Sequence, residues 1–283
     1  MKGNMKIFVS VDLEGIGGIV SSLQCRAEGG ELYQEARRLM ASEVNAVIEG
    51  VNHGGAQAII GDSHGNMLNL PIELLRGDFQ YCCGDDKALS MMGGLDETFS
   101  GIIFLGYHAR FGTERAVLDH TYSPSTMRET RINGVSVGEA EINAAVGGYF
   151  NVPVLMICGD KAATIQLRDV FPKSLMVETK EGIGRFSAIC KSPEKVRQFL
   201  YEGASKVVEN PDVFGNLFKY EGPITLEVDW TTSAMAEVQT YIPGVVRKGA
   251  RTTAYTCEDY VELFKLFTVF RTMASSVSDV EYM

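Results

Sequence analysis

Two carboxylates and two imidazoles stand where three apolar runs of this chain stop. Asp12 and Glu14 follow Lys6-Ile7-Phe8-Val9-Ser10-Val11, His64 follows Ala58-Ile59-Ile60-Gly61 by way of Asp62-Ser63, and His108 follows Ile102-Ile103-Phe104-Leu105-Gly106-Tyr107. Each run is short, apolar and bounded by glycine or polar residues, which reads as a buried strand. Parallel strands bring their carboxyl ends to one sheet edge, and α/β proteins place their sites there. The chemistry implied is divalent-metal binding, because neutral imidazole with carboxylate oxygen suits Zn, Mn, Fe or Co better than Ca. Asp12 and Glu14 lie two apart on an extended segment and therefore share a face. Two acids before a glycine turn are more often solvated loop residues; their position at a strand end is what favours a ligand role.

The chain has four histidines. His53 closes a helical pattern before Gly54-Gly55, where an imidazole is favoured electrostatically without any further role. A lone histidine at a strand end is usually a hydrogen-bonded structural residue, yet His64 and His108 occupy matching ends. His120 lies across an irregular loop, Ala109 to Asp119, from His108. Glu139 opens a helix after the Asn133-Gly134 hairpin turn, where the helix dipole alone accounts for an acid, and Glu141 is similar. Asp62 is placed to orient a ligating histidine. Asp12, Glu14, His64, His108 and Glu139 together make five ligands, three of them anionic, too many for one catalytic zinc that keeps a water. They suit two ions about 3.5–4 Å apart sharing a bridging carboxylate, most naturally Asp12, and able to lower the pKa of bound water from about 15.7 to about 7.

The elements that must position these residues are legible from periodicity. A helical pattern runs from Glu31 to His53, and the strand Ala56 to Gly61 completes a βαβ unit. Further strands are expected at Phe79–Cys83, Gly101–Tyr107, Thr126–Ile132, Val135–Val137, Pro153–Cys158, Leu175–Thr179, Phe186–Ile189, Ile224–Trp230 and Arg251–Tyr255. Helices are expected after Glu139, over Lys161–Val170 and Pro193–Val208, and finally over Glu258–Ala274. The fold class is α/β: a mainly parallel three-layer sheet with helices on both faces, plus a smaller α+β portion. The division expected is a metal-binding catalytic domain over 5–170 and a smaller portion over 171–274, possibly interleaved, with 275–283 as a frayed tail.

Composition narrows the partners. The 283 residues carry a net charge of −10 and no basic block, which argues against nucleic acid and against an anionic membrane surface. No apolar run approaches the roughly 20 residues that span a bilayer, and the N-terminus runs into a strand without a signal-peptide pattern, so the expected location is cytoplasmic. The six cysteines form no C-x-x-C pair and read as small buried hydrophobes.

Ser10-Val11-Asp12-Leu13-Glu14-Gly15, Asp62-Ser63-His64, Leu105-Gly106-Tyr107-His108-Ala109 and Asn133-Gly134 through Val137-Gly138-Glu139 resemble, in order and spacing, the bacterial zinc D-aminopeptidases. The resemblance is clear to about residue 160 and weaker to the last helix. It implies two zinc ions per subunit held by Asp12, Glu14, His64, His108 and Glu139, and His120 as the catalytic residue outside the metal shell. It also implies removal of N-terminal D-amino acids from short peptides, and a ring-like homo-oligomer, a decamer with an internal chamber. The loop from Ala109 to Asp119 is slightly longer than the family pattern, and Asp119 stands where a small residue precedes the histidine. From the residues alone, another binuclear hydrolase (an amidase or phosphoesterase) and a non-catalytic metal- or peptide-binding assembly protein stay open.

Overall fold

Alternation of side chains along the strands divides the molecule into layers. In the computed structural model, which describes residues 5–278, the chain begins with β1 (Met5–Val11), α1 (Glu31–His53), β2 (Ala56–Asp62), β3 (Phe79–Cys82) and β4 (Gly101–Tyr107). A hairpin of β5 (Met127–Ile132) and β6 (Val135–Ser136) leads to α2 (Glu139–Tyr149), β7 (Val154–Asp160) and α3 (Lys161–Arg168). Then come β8 (Leu175–Gly184), β9 (Ser187–Cys190), α4 (Pro193–Glu209) and the single turn α5 (Pro211–Phe214). The chain finishes with β10 (Ile224–Trp230), α6 (Ser233–Gln239), β11 (Val246–Arg247), β12 (Thr252–Cys257) and α7 (Tyr260–Ser276).

The larger sheet has the order β3-β2-β1-β4-β7-β8-β9, parallel except for the β8–β9 edge hairpin. Ile7, Val9 and Val11 face α1 and α4, packing with Val44, Val47, Ile48, Val196 and Leu200. The alternate residue Phe8 joins Ile102, Phe104, α2 and α7 on the opposite side. Each such fully buried aliphatic or aromatic side chain contributes about 1.5–3 kcal/mol, so one strand pattern commits helices to both faces. The expected fold class is thus what the chain adopts.

The smaller sheet is antiparallel, ordered β11-β12-β10-β5-β6. Ile224, Leu226, Val228 and Trp230 of β10 point inward against Met235 of α6 and Phe264, Phe267 and Phe270 of α7. The sheets are interleaved along the chain: β5 and β6 belong to the smaller sheet, while β8 and β9 belong to the larger. A cut at residue 170 would therefore separate β7 from its neighbour β8 and β5 from its neighbour β10. Three short elements, α5, α6 and β11, were beyond reach of periodicity because each is seven residues or fewer. The segment after Pro71 is one 3-10 turn, Ile72–Leu74. At the C-terminus α7 continues through Ser276, so Ser275 and Ser276 are helical; the rest of the expected tail beyond residue 278 lies outside the described residues. Among the described residues no helix is long and apolar enough to cross a membrane.

Strand order reverses at β1: the chain passes from β1 to β2 on one side and returns as β4 on the other. The crevice at that switch point lies where the carboxyl ends of β1 and β4 part. Here the two backbones touch. Asp12 N–H donates to Leu105 O (2.8 Å) and Gly15 N–H to Gly106 O (2.7 Å). A Cβ on Gly15 would lie 2.1 Å from Tyr107 O, and one on Gly106, whose φ is +75°, 2.2 Å from Asp12 O. Neither neighbour is a flexible side-chain tip, so the backbone itself would have to move. Gly15→Ala is expected to cost about 3 kcal/mol or more in denaturant unfolding; an unfolding midpoint equal to the parent's would refute this packing argument.

Candidate metal centre

Strand ends deliver four of the expected residues and a helix start the fifth. Asp12 and Glu14 leave the end of β1, His64 follows β2, His108 follows β4, and Glu139 is the first residue of α2. All are buried except His64, which is half-buried. Asp12 divides its oxygens: Oδ1 lies 3.1 Å from His64 Nδ1 and Oδ2 lies 3.3 Å from His108 Nε2. Glu14 Oε2 is 2.9 Å from His64 Nδ1, and Glu139 Oε1 is 3.3 Å from His108 Nε2. His120 closes the group, its Nε2 3.7 Å from Glu139 Oε1 and 4.0 Å from Glu14 Oε1, with its ring stacked 4.1 Å from that of His108.

The backbone sets each imidazole. His64 Nε2 donates to Cys25 O (2.7 Å), His108 Nδ1 to Ala109 O (3.0 Å) and His120 Nδ1 to Leu118 O (2.8 Å). A carbonyl can only accept, so in the neutral imidazole each opposite nitrogen carries a lone pair toward the acids. Asp12 Oδ2, Glu14 Oε2 and His108 Nε2 are buried without any hydrogen-bond partner. Acceptors facing acceptors in a buried site suit a cation between them. The titration behaviour points the same way. Burial would lower the pKa of His64 and His108, but the carboxylates of Glu14 and Asp12, and of Glu139 and Asp12, raise both well above the ordinary range. Burial and the charge of Glu14 raise Asp12, whereas Glu14 and Glu139 are held low, against their burial, chiefly by His64 and His108 respectively. The acids thus gather positive charge among them, and a divalent cation meets the same demand. Among the described residues three groups have ligand atoms within 4.8 Å of one another: Asp12, Glu14 and His108; His108, His120 and Glu139; and Glu14, Cys25 and His64.

One neighbour, Asp62, takes a role different from the expected one. Asp62 does not touch the His64 ring. It accepts from the Asn69 and Leu70 N–H groups (2.6 and 3.0 Å) and from Tyr81 OH (3.0 Å), fixing the loop behind His64, because carboxylate oxygens at a strand end capture the nearest orphan donors. Glu141 accepts from Gly138 N–H (3.1 Å) as a cap on α2. His53 stays structural at the end of α1, edge-on to Tyr201 at 5.8 Å. Asp119 pairs with Arg185 (3.0 Å) at the β8–β9 turn, while Arg185 O accepts from Leu118 N–H (2.9 Å). Leu118 and Tyr122, either side of His120, both have left-handed backbone (φ 53° and 58°), a strain that such anchors must hold.

Two buried groups beneath the site escaped the sequence analysis. Lys180, fully buried, donates its ammonium to the carbonyl oxygens of Glu14, Ile16 and Ile19, and Thr179 Oγ donates to Gly15 O (2.6 Å). The end of β8 thereby pins the loop that leaves β1. Period-2 alternation places Val177 and Thr179 inward and Lys180 outward, but a register shift between Gly159 and Asp160 turns Lys180 in. Glu43 of α1 accepts from Gly17 N–H (2.8 Å) in the same loop. Cys25 also went unsuspected; a lone cysteine without a spaced partner carries no signal, and burial pushes its thiol pKa up. Beside the metal residues a cavity of about 270 Å³ is lined further by Arg26, Met67, Met91, Tyr122 and Arg271. Arg110 is not among its lining residues; it borders separate hollows with Gln166 and with Arg128.

Comparison with known proteins follows this geometry. The model of the peptidase M55 family, described as D-aminopeptidase, matches residues 5–269. A D-aminopeptidase of Bacillus subtilis (strain 168) is 33% identical over 276 residues, covering 97% of this chain and 99% of its own. The solved structure of a Zn-dependent D-aminopeptidase from Bacillus subtilis, described as a self-compartmentalizing protease, superposes with a TM-score of 0.92 at 32% identity, covering 97% of this chain and all of that one.

Burial raises the Glu43 carboxyl from about 4.5 to about 7, against the opposing pull of Gly17 N–H and Lys180. A carboxyl that titrates higher in the folded chain favours folding while it is neutral. Its contribution is complete below about pH 4.5 and is lost as pH rises through about 7. Glu43→Gln keeps an oxygen for Gly17 N–H and removes the titration. The stability of the parent relative to this variant should fall by about 3 kcal/mol between pH 4.5 and 8 in denaturant unfolding; parallel curves would contradict the assignment.

Proposed function

This chain belongs to the peptidase M55 family of D-aminopeptidases, and on that premise we propose that it is a zinc aminopeptidase that releases N-terminal D-residues from short peptides. Asp12, Glu14, His64, His108 and Glu139 would hold the zinc, two ions per subunit, with Asp12 placed between the two histidines. The observation that carries this reading is the division of Asp12, one oxygen toward His64 and the other toward His108. Glu14 stands with His64, and Glu139 with His108, so each pair would contribute to holding the metal. When bound, zinc supplies Lewis acidity toward the scissile carbonyl and lowers the pKa of water.

The chain's own residues supply the rest of the chemistry. Hydrolysis takes a proton from water and returns one to the departing amine, so a group able to do both must stand beside the reacting atoms. His120 is suited to it. Its Nδ1 is committed to Leu118 O, and its free Nε2 faces Glu14 and Glu139 at 4.0 and 3.7 Å without being bonded to either. The stack on His108 and the Asp119–Arg185 pair keep its ring from swinging away.

We further propose that the chain works as a ring-like homo-oligomer, a decamer, in the cytoplasm. Support for self-association comes from the β8–β9 edge hairpin, which leaves Ile183, Phe186 and Ile189 more than 60% exposed in a single chain.

Two measurements test the reading. Matched D- and L-alanyl dipeptides, assayed before and after chelation, should show hydrolysis of the D-form that a chelator abolishes and zinc restores; no hydrolysis of either would sink it. His120→Ala should retain its zinc, by metal analysis, and lose about 10²- to 10⁴-fold in kcat. Full activity in that variant would reassign the proton-transfer role.

A further inference from the structure

The cavity beside the metal residues is electrically divided. Asp12, Glu14 and Glu139 line one part of it, and two guanidinium side chains, Arg26 and Arg271, line others. Arg26 is exposed on a surface turn, whereas Arg271 is half-buried in α7. Its guanidinium lies over the ring of Tyr122, 5.8 Å from the centroid. Tyr122 is itself locked: its N–H donates to Glu139 Oε1 (2.6 Å), its OH donates to Asn143 Oδ1 (2.6 Å), and its ring stands edge-on to Phe267 at 4.9 Å. The arginine is thus tied through one residue to a carboxylate of the metal centre. Among the described residues it forms no ion pair, although the protein is strongly acidic.

We propose that Arg271 binds the free α-carboxylate of the peptide and so makes the site a reader of both chain ends. The inference rests on the peptidase reading above and names the kind of peptide that site accepts. A short peptide is a zwitterion with an ammonium at one end and a carboxylate at the other. The first peptide bond must lie at the acids and imidazoles, and a planar guanidinium offers paired donors to the carboxylate at the other end. A cavity of about 270 Å³ holds only a few residues. An extended peptide spans about 3.3–3.6 Å per residue, so a di- or tripeptide is the length that such a cavity suits. Stacking on a fixed tyrosine also removes much of the entropy a free arginine side chain loses on binding. Arg271 is on this account a specificity residue that positions the substrate and leaves the reacting bond to other groups.

The test compares D-alanyl-D-alanine with its C-terminal amide, which differs only in lacking the carboxylate charge. The zinc-loaded parent should prefer the free acid by about 10- to 100-fold in kcat/KM, mostly through KM, as expected for one charge-assisted hydrogen-bonding contact. Arg271→Met should bring the ratio close to one, and Arg271→Lys should keep part of the preference. Zinc content and thermal midpoint establish that each variant is folded. A parent that cleaves both compounds equally well overturns the inference without using any variant. A folded Arg271→Met that keeps the full preference overturns it too, while the peptidase reading stands. A parent that cleaves neither compound refutes the peptidase reading, and this inference falls with it.

Discussion

Three carboxylates share one dry corner of this molecule, and much of the surrounding structure answers that constraint. An uncompensated buried charge costs several kcal/mol, so Asp12, Glu14 and Glu139 can coexist only with positive charge among them. The sheet brings them together at its switch point, where β1 and β4 part. Backbone carbonyls of Cys25, Ala109 and Leu118 then turn the imidazoles so that the opposite nitrogen of each faces the acids. The one buried ammonium nearby, Lys180, is kept behind the loop on backbone oxygens, where it stiffens the site without neutralising it. Burial lowers its pKa to about 8, so it still carries its charge at neutral pH.

Beneath the acids a chain of neutral groups relates the layers to one another. Ser10 of β1 meets Ser63 and Tyr107, each at 2.7 Å, and Asn143 of α2 donates to Tyr107 OH (3.0 Å). Asn143 in turn accepts from Tyr122, whose N–H holds Glu139. The metal residues therefore rest on a floor drawn from β1, β4 and α2, and α7 of the smaller sheet's layer closes over it through Phe267. Separate segments of the chain must be in place before the cavity has walls on both sides.

The strand ends and the long helix were legible because apolar periodicity and glycine punctuation act locally. Glu31–His53 and Gly101–Tyr107 have the bounds that periodicity assigned them. Asp12, Glu14, His64 and His108 could be gathered from the sequence because parallel strands necessarily bring their ends together. Glu139 was ambiguous taken alone, since a helix-start acid has a plainer explanation, and it entered the ligand set only as part of the cluster; His120, a loop histidine, was given its role only by the family resemblance. Lys180 was hidden by a strand irregularity that reverses the side-chain alternation. Arg271 was hidden by distance: a guanidinium in the last helix reaches the first strand's site only through the packing of α7. Asp62 shows the opposite failure, a residue well placed to orient a histidine whose oxygens were taken by nearer backbone donors.

The hold of Lys180 on the first loop also orders events in time. Its ammonium joins residues 161 to 166 positions apart in the chain. Contacts of such span form late, because the intervening chain must first give up its freedom. During synthesis β1, β2 and β4 all emerge before Lys180 exists, and the loop bearing Glu14 then lacks the donor that fixes its carbonyls. The loop bearing Glu14 therefore has its full set of donors only once the larger sheet has been assembled through β8.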